Sequence, residues 1–399
     1  MNTERVNLKK NEIDVILTTY KRPEVLKQQI DAVRSQTIKP KRLFLYQDGI
    51  DSYYKIELKQ EILDEFEDYV LSEKNCGVWE RFKYAANIKD ISEYVCFFDD
   101  DTIPGKCWFE NCIAHMQKEP AIYGTNGILL KNAEDYPNTR NMIQVGWHNP
   151  YDKPIEVDFV GHSWFIKSEW LQGMLSTPYV NEYKYVGEDM CLSFACKQKG
   201  IKTVVPPHPQ GNLEMWGSIP KYGEAYGVSK VAVSANPTNH SAMGTTLKRM
   251  HEDGWHLIYE ENKEYIIWVE EELQKYAEGK KDIIVREIEE LILESNLPVY
   301  LYGAGNYGKI FLEYLNRKNV TPCAFVISEW NYSSKEMNIQ GIPVISREEL
   351  LRRKERKVII LSLNPMFHKE IREKLSEKDI IYPNEELGNC FEEILNYLK

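Results

Sequence analysis

Three consecutive carboxylates, Asp99, Asp100 and Asp101, close the apolar run Glu93–Phe98 and precede Thr102, Ile103 and Pro104. Side by side they repel one another, which raises their pKa values and costs stability unless a cation joins them. Hard oxygen ligands suit Mg2+ or Mn2+, and either ion binds phosphate oxygens in turn. A solvated acidic loop is the plainer alternative; the apolar run before the triplet and the Ile-Pro pair after it weigh against that. A second acidic pair, Glu188 and Asp189, follows Val186 and Gly187 and opens a stretch of helical spacing. A carboxylate within hydrogen-bond reach of an attacking hydroxyl can take its proton. Acids at a helix start also answer simply to its positive end.

These groups need a scaffold. Strand patterns at Asp14–Thr19, Arg42–Tyr46 and Glu93–Phe98 alternate with helical spacing at Glu24–Gln36, behind Pro23, and over 54–71. That alternation predicts a parallel sheet with covering helices. Residues 120–250 are richer in Gly, Pro, Asn and Trp and read as short strands and long loops, with short helices at 167–175 and 188–199. Functional loops in such sheets gather at the carboxyl ends of the strands. The segment 256–296 is charged, helical in period and interrupted at Gly279, the pattern of a connector of one or two helices. A new strand, turn and helix open at Pro298, and strand patterns recur at Cys323–Ile327 and Lys357–Leu361. Gly303, Gly305 and Gly308 lie between that strand and helix, where a dinucleotide fingerprint requires them, with Glu329 roughly 20 residues further on. They are candidates for nucleotide binding, or for tight strand–helix packing alone. The expected class is α/β, with domains at 1–255, 256–296 and 297–399.

The acidic triplet resembles the DXD motif of GT-A-fold glycosyltransferases, and the order of features is similar to family 2. The first strand ends in the loop Leu17–Pro23; Asp48 follows the second strand; Asn75, Cys76 and Gly77 with Arg81 precede the triplet. The resemblance covers residues 12–210. It implies a nucleotide-sugar pocket lined by Thr18, Thr19, Tyr20 and Arg22, with Tyr20 a stacking surface for the base. Asp48 would accept a base N–H, or serve only the turn before Gly49. Arg81 would face the diphosphate, where a guanidinium binds two oxygens at once. Asp99 and Asp100 would hold ribose hydroxyls or metal-bound water, and Asp101 would ligate Mn2+ or Mg2+ directly, with Asp99 beside it. Asp189 would be the general base, Glu188 the second choice, so that direct displacement inverts the anomeric centre. His162 and Trp164 in Phe159–Ile166, and Trp216, are the acceptor-contact candidates. A later histidine often joins the metal set of such enzymes; His208, between prolines, is preferred over His240. The C-terminal segment resembles small Rossmann-like modules appended to sugar-modifying enzymes.

Composition bounds the partners. A net charge of −11 argues against a nucleic-acid surface, which needs a basic face. Eight cysteines without a CxxC pair read as reduced thiols, not a disulfide framework or zinc site. No run approaches the length of a spanning helix and no leader is visible, so the expected place is the cytoplasm, with peripheral contact at the inner face of the membrane left open. The expected partners are a nucleotide-sugar donor, UDP-linked by default, and a glycan or lipid-linked acceptor in surface polysaccharide synthesis. Nucleotidyl transfer is disfavoured, because the first strand runs into Thr18–Pro23 and not into a Gly- and Lys-rich loop. The rival of another class is a nucleotide-binding or redox-sensing protein driven by the C-terminal glycines.

Overall fold

The computed structural model describes residues 12–382 apart from 50–57, 135, 138–140, 148, 221, 223–236, 290, 293–295, 329–337, 364–366 and 376–378. The chain divides into two compact units between Gln274 and Lys275. Glu329 lies outside the described residues.

The first unit is built on a nine-stranded sheet. Strands β1 (Ile13–Thr19), β2 (Arg42–Gln47), β3 (Asp68–Leu71) and β4 (Tyr94–Phe98) are parallel, in the order 3-2-1-4. Beyond β4 the sheet continues with β5 (Ala121–Leu130), β6 (Met142–Gly146), β7 (Ile155–Glu156), β8 (Phe159–Lys167) and β9 (Lys202–Val205). β8 lies between β4 and β5, antiparallel to both, and β6 adds to β5. All residues of β4 and β5 are buried, β4 as an unbroken apolar run and β5 with the polar Thr125 and Asn126 within it. Helix α1 (Leu26–Arg34) buries Leu26, Ile30 and Val33, one stripe at i, i+4 and i+7. Its Gln29 reaches out of the stripe and donates Nε2 to the carbonyls of Asp99 and Thr102, at 2.5 and 2.9 Å. The helix therefore holds the backbone of the acidic turn.

The expected helix over 54–71 is not one element. Among the described residues it resolves into α2 (Gln60–Leu63) and strand β3. Leu63 and Phe66 keep helical spacing and are buried, but Tyr69-Val70-Leu71 are strand formers and pair with Tyr46 and its neighbours on β2. Farther along lie α3 (Glu80–Ala86), α4 (Trp108–Met116), α5 (Leu171–Leu175), α6 (Glu188–Lys197), α7 (Pro237–Glu252), α8 (Ile258–Glu261) and α9 (Lys263–Glu289). The break expected at Gly279 does not occur, since α9 runs through it. One interior glycine costs a helix only about 1 kcal/mol, and Ile266, Val269 and Leu273 bury a stripe that offsets it.

Asp158 ties α8 to the sheet. It is 4% exposed, and its two oxygens accept the backbone N–H groups of Leu130 and Ile258 at 2.8 and 2.9 Å. Burial pushes its carboxyl up to about 7. Asp158→Ala orphans two buried donors, each worth about 1–3 kcal/mol, and removes an acid that burial already disfavours. The first effect outweighs the second, and a net loss of about 1–3 kcal/mol is expected in urea denaturation. No loss would show that the two donors find other partners.

The second unit carries a six-stranded sheet from β10 (Val299–Tyr302), β11 (Ala324–Ile327), β12 (Asn338–Ile339), β13 (Ile342–Ser346), β14 (Lys357–Leu361) and β15 (Ile380–Ile381). Its order is 12-13-11-10-14-15, parallel except for the β12–β13 hairpin. Period-two alternation splits its core. Val299, Leu301, Phe325 and Ile360 pack with Phe311 and Leu315 of α10 (Asn306–Arg317), while Tyr300, Tyr302, Val326 and Ile359 pack with Leu350 and Ile371.

Candidate active site

β4 ends at Phe98, and the carboxylate triplet occupies the turn after it. Two arginines face that turn. Arg22, from the loop after β1, pairs with Asp100 and lies 3.6 Å from Asp101. Arg81, on α3, is 7% exposed and pairs with both Asp99 and Glu188, the latter at 3.0 Å. Its guanidinium lies over the Trp164 ring, 4.6 Å from the centroid. Glu188 and Asp189 open α6. The chain enters that helix through Gly187 at φ 88°, a conformation that favours glycine, and a Cβ there would come within 2.6 Å of Thr246 Cγ2. One chain of ion pairs thus joins the acidic turn to the start of α6.

His162 completes the turn from the β8 side. It sits at φ 66°, rare for a residue with a Cβ, and such strain collects at functional sites. Its carbonyl accepts the Asp99 N–H at 2.9 Å and the Thr102 hydroxyl at 3.0 Å, so the strained residue is fastened to the triplet. Its Nδ1 is 3.7 Å from Asp101 Oδ1. Asp99, Asp101 and His162 each offer a ligand atom, and the three atoms lie within 4.8 Å of one another. Burial alone would lower His162, but the Asp101 carboxylate outweighs it and the imidazole is raised. Asp100 is pushed up to about 6, by burial first and then by its acidic neighbours, against the pull of Arg22. Burial also pushes Asp189 up to about 6, with the Asp99 charge adding to it, and raises Glu188, with the Asp189 charge adding to it. Five carboxylates facing two guanidiniums leave surplus negative charge, and two carboxylates with an imidazole form a donor set that fits a divalent cation.

The β1 and β2 ends supply the other named residues. Thr18 donates Oγ1 to the Phe98 carbonyl at 2.7 Å, tying β1 to β4 where the triplet begins. Thr19 is buried, with no described partner for its hydroxyl. Tyr20 accepts from Asn75 Nδ2 at 2.7 Å. Asp48 accepts three backbone N–H groups, from Gly49, Cys76 and Gly77, at 3.0, 2.7 and 3.0 Å. Its oxygens therefore fix the Asn75–Gly77 loop against β2, which accords with the turn role and occupies atoms that a base would need.

Three residues lie apart from the places expected of them. His208 is 1% exposed; Nδ1 lies 2.7 Å from the Pro206 carbonyl and Nε2 3.1 Å from the Thr125 hydroxyl, between the rings of Trp108 and Trp216. Burial lowers it to about 4, and it is not in the metal-capable group, where His162 stands. Trp216 is 2% exposed and donates to the Pro209 carbonyl at 2.8 Å. Trp164 is 1% exposed beneath Arg81. Both tryptophans are packing residues, and neither offers a surface to a sugar. Residues not singled out from the sequence also matter: Gln29, which holds the turn, and Trp147, edge-to-face on His162 at 5.4 Å. A tryptophan just after a strand-ending glycine was the available signal for the second.

In the second unit, a Cβ on Gly303 would meet the Ser362 carbonyl at 2.4 Å, and one on Gly308 the Gly303 carbonyl at 2.2 Å. Those two serve close packing. A Cβ on Gly305 would meet no described atom within 4 Å.

Residues 14–175 match the family model described as glycosyl transferase family 2. No curated protein matches the chain. Similar solved structures include GalNAc-T7 with UDP, GalNAc and Mn2+, at 13% identity and a TM-score of 0.39 over 49% of this chain and 42% of that one. TarS of S. aureus matches at 15% identity and a TM-score of 0.35, over 49% and 35%. The mannosyltransferase PcManGT from Pyrobaculum calidifontis, in complex with GDP-Man and Mn2+, matches at 15% and 0.33, over 49% and 55%. The chain spans about half or less of the length of each. No helix among the described residues is long and apolar enough to cross a membrane.

Proposed function

From a chain whose residues 14–175 carry the glycosyl transferase family 2 pattern, we propose an inverting transfer of a sugar from a nucleotide-sugar donor, UDP-linked, to a hydroxyl of a glycan or lipid-linked acceptor in surface polysaccharide synthesis. The observation that carries this is the joining, through Arg81, of a cation-capable set at the end of β4 to the buried Glu188 at the start of α6, with the half-buried Asp189 next to it. Asp99, Asp101 and His162 would hold Mn2+ or Mg2+. Bound there, the cation neutralises the diphosphate. Arg22 and Arg81 add positive charge beside those oxygens, and Tyr20 with the Asn75–Gly77 loop borders the base. Asp189 takes the acceptor proton, while Glu188, engaged by Arg81, holds the start of α6 in register with the turn.

Thermal unfolding tests the reading. UDP with Mn2+ is expected to raise the midpoint by several degrees, since ligand at 100 times its Kd adds about 2.7 kcal/mol; UDP or Mn2+ alone should do far less. A rise with NAD and none with UDP plus Mn2+ would move the function to the second unit.

A further inference from the structure

β4 stops at Phe98, opposite Ser163, but β8, β5 and β6 extend past that level, so the rungs that follow stand beside the acidic turn as a wall. Along it Gly161, Asn126 and Gly146 are ladder partners across β8, β5 and β6. A Cβ on Gly161 would meet no described atom within 4 Å, so among the described residues nothing covers the wall there. Asn126 is 9% exposed, and its Oδ1 has no hydrogen-bond partner among the described residues. Trp147 follows Gly146 directly, is half-buried, and stands at 86° to the His162 ring. Tyr136, from the same β5–β6 connection, is half-buried and close enough to Asp189 and Glu188 for their charges to act on its phenol.

A pyranose ring presents an apolar C–H face and a rim of hydroxyls. An indole ring suits the first. A buried amide oxygen left unpaired is costly, and a hydroxyl donor removes the cost. We infer that Trp147 and Asn126 form the subsite for the acceptor's sugar ring, Trp147 stacking on its C–H face and Asn126 Oδ1 accepting one of its hydroxyl hydrogens. The subsite rests on the glycosyl-transfer reading and adds to it which residues choose the acceptor. Its place in the sheet favours acceptor over donor. Tyr20, Arg22 and Asp48 stand on the β1–β2 side of β4, and Trp147 stands on the other. It adjoins the cation-capable group through His162.

The test uses the full chain saturated with UDP and Mn2+. Saturation-transfer NMR follows methyl glycosides of glucose, galactose, mannose and N-acetylglucosamine. At least one is expected to take up saturation. Trp147→Ala should weaken it about tenfold, equivalent to 1.4 kcal/mol; Asn126→Ala should weaken it also, and Trp147→Phe should retain most of it. Calorimetric UDP affinity, unchanged in all three, serves as the folding control. Undiminished glycoside binding in both alanine variants, or no glycoside binding in a parent that binds UDP, overturns the subsite and leaves the transfer reading standing. A signal lost when UDP-glucose or UDP-N-acetylglucosamine replaces UDP places the glycoside in the donor's own sugar pocket and overturns the acceptor assignment. A parent that binds no UDP with Mn2+ overturns the reading beneath it.

Discussion

Asp189→Ala is expected to slow sugar transfer by about 100- to 10,000-fold, the range a positioned general base supplies, with UDP affinity in the presence of Mn2+ unchanged. Of the two carboxylates at the start of α6, Glu188 is engaged by Arg81 at 3.0 Å. Asp189 accepts the Met190 N–H at 2.7 Å through Oδ1, and no ion pair to it is seen among the described residues. In the proposed step the acceptor oxygen bonds to the anomeric carbon as its proton passes to Asp189. The bond from that carbon to the phosphate oxygen breaks, and the nucleoside diphosphate leaves with the electron pair. A carboxylate lifted to about 6 by burial is a stronger base than one in water and is still largely ionised at neutral pH. The sign follows directly: the active form is the deprotonated one, so transfer rises with pH through about 6 and levels above it. That acid limb should vanish in the alanine variant. Transfer at the parent rate by Asp189→Ala would remove the assignment, and attention would pass to Glu188.

Legibility in the sequence followed the physics of each signal. The strands β1, β2 and β4 were readable because continuous apolar runs have few other uses, and the triplet was readable because like charges at a strand end demand an explanation. β3 was hidden, since Leu63, Phe66 and Val70 mimic one helical stripe until pairing with β2 decides otherwise. The intact α9 was hidden by Gly279, whose local cost is smaller than what tertiary packing returns. By sequence, His162 falls to the acceptor and His208 to the metal, whereas the structure sets His162, and not His208, beside Asp99 and Asp101, because a ligand set is a matter of distance across strands. Register places His162 opposite the triplet, whereas flanking prolines say only that His208 is rigid. The tryptophans show the same limit. Aromatic rings serve cores and sugar sites alike, and only burial separates Trp164 and Trp216 from Trp147.

Asp101→Asn is expected to weaken Mn2+ binding, measured by electron paramagnetic resonance with UDP present, by about 100-fold or more. Losing a mere supporting partner of a metal ligand already costs about 10- to 100-fold, and this change removes the ligand charge itself. Asp101 is better prepared than Asp100 to stay ionised. Burial raises its carboxyl, but His162 and Arg22 more than reverse that and hold it below the ordinary range. Asp100, by contrast, is lifted to about 6 and is engaged by Arg22. Without a cation, the Asp101 charge leans on the 3.7 Å approach of His162 Nδ1 and the 3.6 Å approach of Arg22. The amide variant loses both attractions, so a modest fall in stability, about 1 kcal/mol, should accompany the loss of metal, without unfolding. The two readouts separate the roles. Unchanged Mn2+ affinity with the same fall in stability would make Asp101 a structural partner of His162 and Arg22, and the diphosphate would then depend on the two arginines alone.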